Sequence, residues 1–208
     1  MARYTGASCR KCRAVGVKLF LKSKKCYTAK CILERRPNRP GQHGKVRRKI
    51  SEYSIQLSEK QKLRNMYGML ERQFRLYFTQ AARMKGITGD NLLKLLERRL
   101  DNVIMISGFS GSRKGARQLV RHGHVRVNGR RVDIPSFLVS VGDKIEIADR
   151  DKSRGLAKLG MDGSTSRVVP SWLRVEQERL SMEVISEPGV EDIKQHINVQ
   201  LIVELYSK

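Results

Sequence analysis

All four cysteines of this 208-residue chain fall between residues 9 and 31, in the stretch "CRKCRAVGVKLFLKSKKCYTAKC". Cys9 and Cys12 are separated by two residues, Cys26 and Cys31 by four, and thirteen residues lie between the pairs. Two short-spaced pairs joined by a loop suit a tetrahedral four-thiolate site, because each short turn can bring two sulfurs to about 2.3 Å from one ion. The spacing therefore predicts a structural Zn2+ ion on Cys9, Cys12, Cys26 and Cys31. An iron–sulfur cluster takes the same four thiolates and stays open as the alternative. Left bare, the thiols would stand among lysines and arginines that lower thiol pKa and invite oxidation. His43 could replace one ligand in principle, but four sulfurs already close a structural site.

A second set of residues suits a polyanionic partner. Lys and Arg number 43 against 20 acids, a net charge of +23, which exceeds what solubility needs and points to nucleic acid. The charge is uneven: residues 1–50 carry +15 and residues 98–131 carry +8, whereas residues 132–208 carry −3. The stretch "RRPNRPGQHGKVRRK" (35–49) repels itself and is broken by proline and glycine, so it is expected to order against phosphates. The candidate RNA contacts are Arg47, Arg48 and Lys49 here, then Arg113, Lys114, Arg117 and Arg121, and finally His124, Arg126, Arg130 and Arg131. No apolar run approaches the roughly 18 residues of a spanning helix, and the N-terminus lacks the apolar stretch of a secretory signal. A cytoplasmic protein with no membrane partner is expected, its thiols reduced and not joined in disulfides.

The elements that must position these groups follow from periodicity. From Leu57, a capping box at Ser58 and Gln61 and an apolar stripe of Leu63, Tyr67, Leu70, Phe74, Phe78 and Ala81 predict helix, split at Gly68 and ended at Gly86. A third helix is predicted from Asp90 toward Gly108, burying Leu92, Leu93, Leu95, Leu96, Leu100, Val103 and Ile104. In "GSRKGARQLVRHG" (111–123), Ser112 is the N-cap, and Ala116, Leu119 and Val120 form one sector. Arg113, Lys114, Arg117 and Arg121 fill the next, so one face packs and the other is cationic. "HVRVNGRRVDI" (124–134) alternates around Asn128-Gly129, the strongest short hairpin signal, and "GDKIEI" (142–147) supplies a further strand. Trp172 is expected in a core, and the tail "INVQLIVELYSK" as a helix packed on the first helical group.

Enzyme signatures are missing. "GFSGSRKG" (108–115) fails the spacing of a phosphate-binding loop, and neither a dinucleotide fingerprint nor a nucleophile elbow occurs. No enzyme activity and no small-molecule substrate are expected.

Several segments together, "MARYTG", "PGQHG" (40–44), "EKQKLRNMYGMLERQF" (59–74), "GDNLLKLLERRLDNV" (89–103), "GSRKGARQLVRHGHVRVNGRRVDIPS" (111–136) and the tail, make the chain resemble bacterial small-subunit ribosomal protein four from end to end. Residues from Arg98 to about Arg154 further resemble the RNA-binding module named after that family. The resemblance implies a structural protein of the small ribosomal subunit that binds the 16S rRNA 5′ domain early in assembly. It also implies contact with small-subunit ribosomal protein five, a part in translational accuracy, and a place beside incoming mRNA. Only part of the family carries four cysteines, so the metal site rests on the spacing. The expected fold class is α+β. A basic arm held by four cysteines and metal (1–45) precedes a mainly helical domain (46–97, completed by 185–208), and an inserted α/β-hairpin RNA-binding module with its following region spans 98–184.

Two other functions compete. An RNA-modifying enzyme carrying the same module would need a catalytic domain of well over 100 further residues. A zinc-dependent DNA regulator would need base-reading Asn or Gln on a groove helix, whereas the cationic helix here offers Arg and Lys suited to phosphates.

Overall fold

The structure, a computed structural model, describes residues 4–46, 49–162, 168–189 and 197–207. In chain order its elements are α1 (Ser8–Val15), α2 (Ile32–Arg35), α3 (Glu52–Met66), α4 (Glu71–Arg83), α5 (Thr88–Glu97), α6 (Leu100–Ile106) and α7 (Arg113–Arg121), then β1 (Val125–Val127), β2 (Arg130–Arg131), β3 (Lys144–Ile147), α8 (Asp151–Asp162), β4 (Leu173–Glu176), β5 (Ser181–Val184) and α9 (Val199–Tyr206). The chain divides into two compact units, Met1–Leu92 with Lys194–Lys208, and Leu93–Ile193.

The first unit is helical. Helix α3 starts earlier than the capping box at Ser58 implies, because Ser51 is the cap: its hydroxyl accepts from the Ser54 N–H at 3.3 Å, and Glu52 places a negative charge in the first turn. Gly68, at φ 62°, takes the left-handed backbone that separates α3 from α4. Leu63, Tyr67, Met69, Phe74, Tyr77 and Ala81 are buried, whereas Leu70 is exposed and Phe78 half-buried. The tail is the helix α9, packed on α3. Its Tyr206 ring stacks on Phe74 and Phe78, with centroids 6.3 and 4.5 Å away, and its hydroxyl donates to Glu71 at 2.8 Å. Close packing extends to Gly89, where a β-carbon would come within 2.9 Å of the Val199 side chain.

The second unit packs helices on a five-stranded antiparallel sheet of order β2-β1-β3-β5-β4. Asn128 and Gly129 sit at φ 50° and 76°, both left-handed, as a tight hairpin between twisted strands requires. Asn128 is further fixed by Asp143, which accepts from its amide at 2.8 Å and from the Ser140 N–H at 2.7 Å. Val125, Val127, Ile145 and Ile147 point inward against Leu100, Val103, Ile104, Phe109, Ala116, Leu119 and Val120. Trp172 is buried in the same core, as expected.

The long third helix of the sequence pattern is two helices. Arg98 and Arg99 leave the helical path and pair with the segment around Leu138: Val139 N–H donates to Arg98 at 2.9 Å, and Leu100 N–H donates to Phe137 at 2.8 Å. The apolar spacing continues across that break, so periodicity alone does not reveal it. Strands β4 and β5 and helix α8 were likewise unanticipated, and β5 pairs with β3 through Ile145 opposite Met182.

Candidate nucleic-acid interface

Helix α7 is capped as its sequence predicts, Ser112 accepting from the Gly115 N–H at 3.2 Å, with Ala116, Leu119 and Val120 buried. Its expected cationic face is only half open. Arg117 turns inward and donates to Asp101 from Nε at 3.0 Å and Nη2 at 2.7 Å. Asp101 is buried and also takes a two-pronged contact from the buried Arg99, at 3.0 and 2.8 Å. Arg113 donates to the Asn102 side-chain oxygen at 2.8 Å, and the Asn102 amide donates to Glu97 at 2.7 Å. Arg113 and Arg117 therefore orient α7 on α6, and the charge of Arg117, expected on the outward face, is paired with a carboxylate inside the unit. Lys114 and Arg121 keep exposed positions.

The hairpin carries the open charge. Arg126, Arg130 and Arg131 are exposed, and Arg126 stands directly opposite Arg131 in the β1–β2 register. Like charges directly opposite each other destabilise a strand pair. Among the described residues, none of Arg121, Arg126, Arg130 and Arg131 has an ion-pair partner within 4 Å. Alternation along β1 puts His124 and Arg126 on the same outward side, with Val125 and Val127 in the core. His124 is half-buried, its Nδ1 2.8 Å from the buried hydroxyl of Ser153 on α8. Burial first, then the positive charges of His122, Arg150 and Arg131, hold its imidazole below the ordinary histidine value.

Arg150 and Ser153 escaped the sequence reading, which placed no element between the strand at 142–147 and the tail helix. The usable signal was "ADRDKSRG", an aspartate ahead of a helical run.

In the arm, Cys12 and Cys26 are buried and Cys9 and Cys31 half-buried. Burial pushes the Cys12 and Cys26 thiols up, while N–H groups of Leu19 and Lys22 pull them back; the Lys22 N–H lies 3.4 Å from the Cys26 sulfur. Cys9, Cys26 and Cys31 all act on Cys12 electrostatically. Among the described residues no three His, Cys, Asp or Glu side chains are gathered closely enough to hold a metal ion. The donor set itself, four thiols and backbone N–H groups aimed at sulfur, suits a soft divalent cation.

Arg47 and Arg48 lie outside the described residues. Lys49 is exposed and borders an open groove of about 870 Å³ with Arg39 and His43.

Comparison with known proteins agrees with this division. The family profile described as ribosomal protein S4/S9 N-terminal domain matches residues 3–97, and that of the S4 domain matches residues 98–145. The chain is 57% identical to the small ribosomal subunit protein uS4 of Solidesulfovibrio magneticus over 208 residues, all of both chains. The proteins of the same name from Acetivibrio thermocellus and Ruminiclostridium cellulolyticum are 54% and 55% identical, again over the full length of both.

Proposed function

This chain belongs to the small ribosomal subunit protein uS4 family, and on that premise we propose that it binds the 5′ domain of 16S rRNA early in small-subunit assembly through the outward face of its hairpin. The family is structural and not enzymatic, and its members are constituents of the small subunit in the cytoplasmic ribosome. The observation that carries the reading is the cluster of exposed arginines on the hairpin and the end of α7, Arg121, Arg126, Arg130 and Arg131, none of which has an ion-pair partner among the described residues, with Arg126 and Arg131 at paired positions of the β1–β2 register. Like-charged arginines crowded on one strand pair lose repulsion when phosphates lie among them, and phosphate contacts of this kind position a protein on RNA without reading bases.

The finer role extends this reading. The chain contacts small-subunit ribosomal protein five, supports translational accuracy, and sets Lys49 with the run at Arg47 and Arg48 beside incoming mRNA. Zn2+ on Cys9, Cys12, Cys26 and Cys31 ties down the basic arm, whose +15 charge over the first 50 residues opposes unaided folding. Support comes from the short spacings of the four cysteines and from the electrostatic influence of the other three on Cys12.

The test is direct binding of the full chain to a 5′-domain transcript, together with co-sedimentation with small subunits after a high-salt wash. Submicromolar binding and retention are expected. Equal affinity for an unrelated transcript, with loss from the subunit in salt, overturns the reading.

A further inference from the structure

Where α7 ends, four groups able to carry positive charge come together, and the charged groups that act on His124 are all of that kind. The rings of His122 and His124 have centroids 6.1 Å apart. Between them Gly123 adopts φ 72°, and the Arg131 guanidinium from β2 lies so close over it that a β-carbon there would collide with Nε. Arg150, just ahead of α8, is exposed and acts on His124, as do His122 and Arg131. Of the acids of the neighbouring elements, Asp149 pairs with Arg154 at 3.0 Å, and Glu146 on β3 holds the register position opposite Arg126. Asp151, in the first turn of α8, is exposed to solvent.

We propose that His122, His124, Arg131 and Arg150 form a seat for a single RNA phosphodiester, and that filling the seat is coupled to protonation of His124.

The seat rests on the rRNA-binding reading for the source of its ligand. Its mechanism is electrostatic. With the seat empty, a proton on His124 is disfavoured by burial and by the charges around it, Arg131 and Arg150 among them; a phosphate reverses the local sign and favours it. Ser153 suits both states, because its hydroxyl can donate to a neutral Nδ1 and rotate to accept from a protonated one. The ring therefore keeps its place while its charge changes. A histidine whose pKa rises on binding adds affinity that is fully present below its pKa in the free protein and is lost as pH rises through its pKa in the complex. Each unit of that rise is about a tenfold gain in affinity.

Two measurements on the full-length chain test this. The first is the Kd for a 5′-domain transcript at pH 5.5, 6.5 and 7.5 at fixed ionic strength, for the natural chain and for His124→Asn, which keeps a partner for Ser153 but cannot take up a proton. About tenfold tighter binding by the natural chain toward the acid end of that range is expected, with a clearly shallower profile for His124→Asn. The second follows the His124 imidazole by NMR against a short single-stranded RNA and against inorganic phosphate. Its midpoint is expected to move up with the RNA, and less so in Arg131→Gln. Parallel pH profiles for the two chains, both binding RNA, overturn the proposal, as does a midpoint that moves with inorganic phosphate but not with RNA. If the transcript discriminates poorly while the short RNA still moves the His124 midpoint, the seat stands and the rRNA assignment falls.

Discussion

The carboxylate of Asp101 accepts two hydrogen bonds from Arg117, at 2.7 and 3.0 Å, and so turns a residue of the most cationic helix in the chain into a packing element. Arg99 grips the same carboxylate from the other side while wholly buried. This triad ties α7 to the start of α6 at the point where the chain leaves its pairing with the Leu138 segment. The basic surface is thereby sorted into two kinds of arginine: those that aim the module and those left open to a polyanion.

The first prediction separates the two kinds. Arg117→Ala strips Asp101 of one of its two charged partners and should cost about 1.5–3 kcal/mol of stability. The slope of log K for rRNA against log salt should hardly change. Arg126→Ala should do the reverse, leaving stability near its starting value and lowering that slope by about 0.7–0.9. Denaturant melts and filter binding at several salt concentrations read both effects; a full unit lost from the Arg117→Ala slope with stability intact would restore Arg117 to the RNA surface.

A second prediction contrasts two glycines of left-handed backbone. Gly129 has nothing within 4 Å of where a β-carbon would stand, so Gly129→Ala should cost only the strain of φ 76°, about 1–2 kcal/mol. Gly123 carries comparable strain at φ 72° and also underlies the Arg131 guanidinium. Gly123→Ala should match it in stability loss but additionally displace Arg131 and weaken rRNA binding severalfold. Equal rRNA affinity in the two variants, once both are shown to be folded, would count against Arg131 as a contact.

Local chemistry made much of this fold legible in the sequence. Asn128-Gly129, Ser112 and Gly68 each announce a backbone conformation through their own side chain or its absence, and each sits where expected. What stayed hidden depends on partners distant in sequence. Nothing local distinguishes Arg117, held by Asp101, from Arg121, open to solvent, since helical geometry puts both in one sector. The break at Arg99 arises from pairing with a segment some forty residues away in sequence. Strands β4 and β5 gain their stability by extending a sheet edge, and their short alternation is too weak to stand out alone.

The third prediction concerns pH and the helical unit. Burial alone would raise the Glu71 carboxyl, but hydrogen bonds from Lys60 and Tyr206 and the charges of Lys60 and Arg64 outweigh it and hold the group below its ordinary value of 4.5. A carboxyl depressed in the folded state adds stability above the unfolded value, and that part is lost as pH falls through the folded one. Glu71→Gln should therefore destabilise the packing of α9 on α3 at pH 7, and the gap to the natural chain should close below about pH 4.5. Amide exchange in α9 at pH 7 and equilibrium melts from pH 7 to pH 3 would show this; a gap that widens toward acid would refute the sign.

The last prediction tests the arm. Structural zinc in small thiolate sites contributes roughly 10–16 kcal/mol of binding energy linked to folding. The arm has few alternatives: Leu19 is buried, but Val17 and Phe20 are more than a third exposed, and α1 and α2 are only eight and four residues long. Helices so short do not persist alone in water. Cys26→Ser removes a buried sulfur that accepts from the Lys22 N–H, so it should abolish binding of the proposed zinc and expose the amides of residues 9–31 to exchange. The second unit has its own core from Leu100 to Val184 and should keep its protection. Affinity for rRNA should fall only partly, because the +15 charge of residues 1–50 still attracts phosphate once its geometry is lost. Metal content by elemental analysis, exchange by mass spectrometry and rRNA titration on the same preparation decide the matter. Full protection of residues 9–31 in a metal-free Cys26→Ser chain would show that these thiols do not organise the arm.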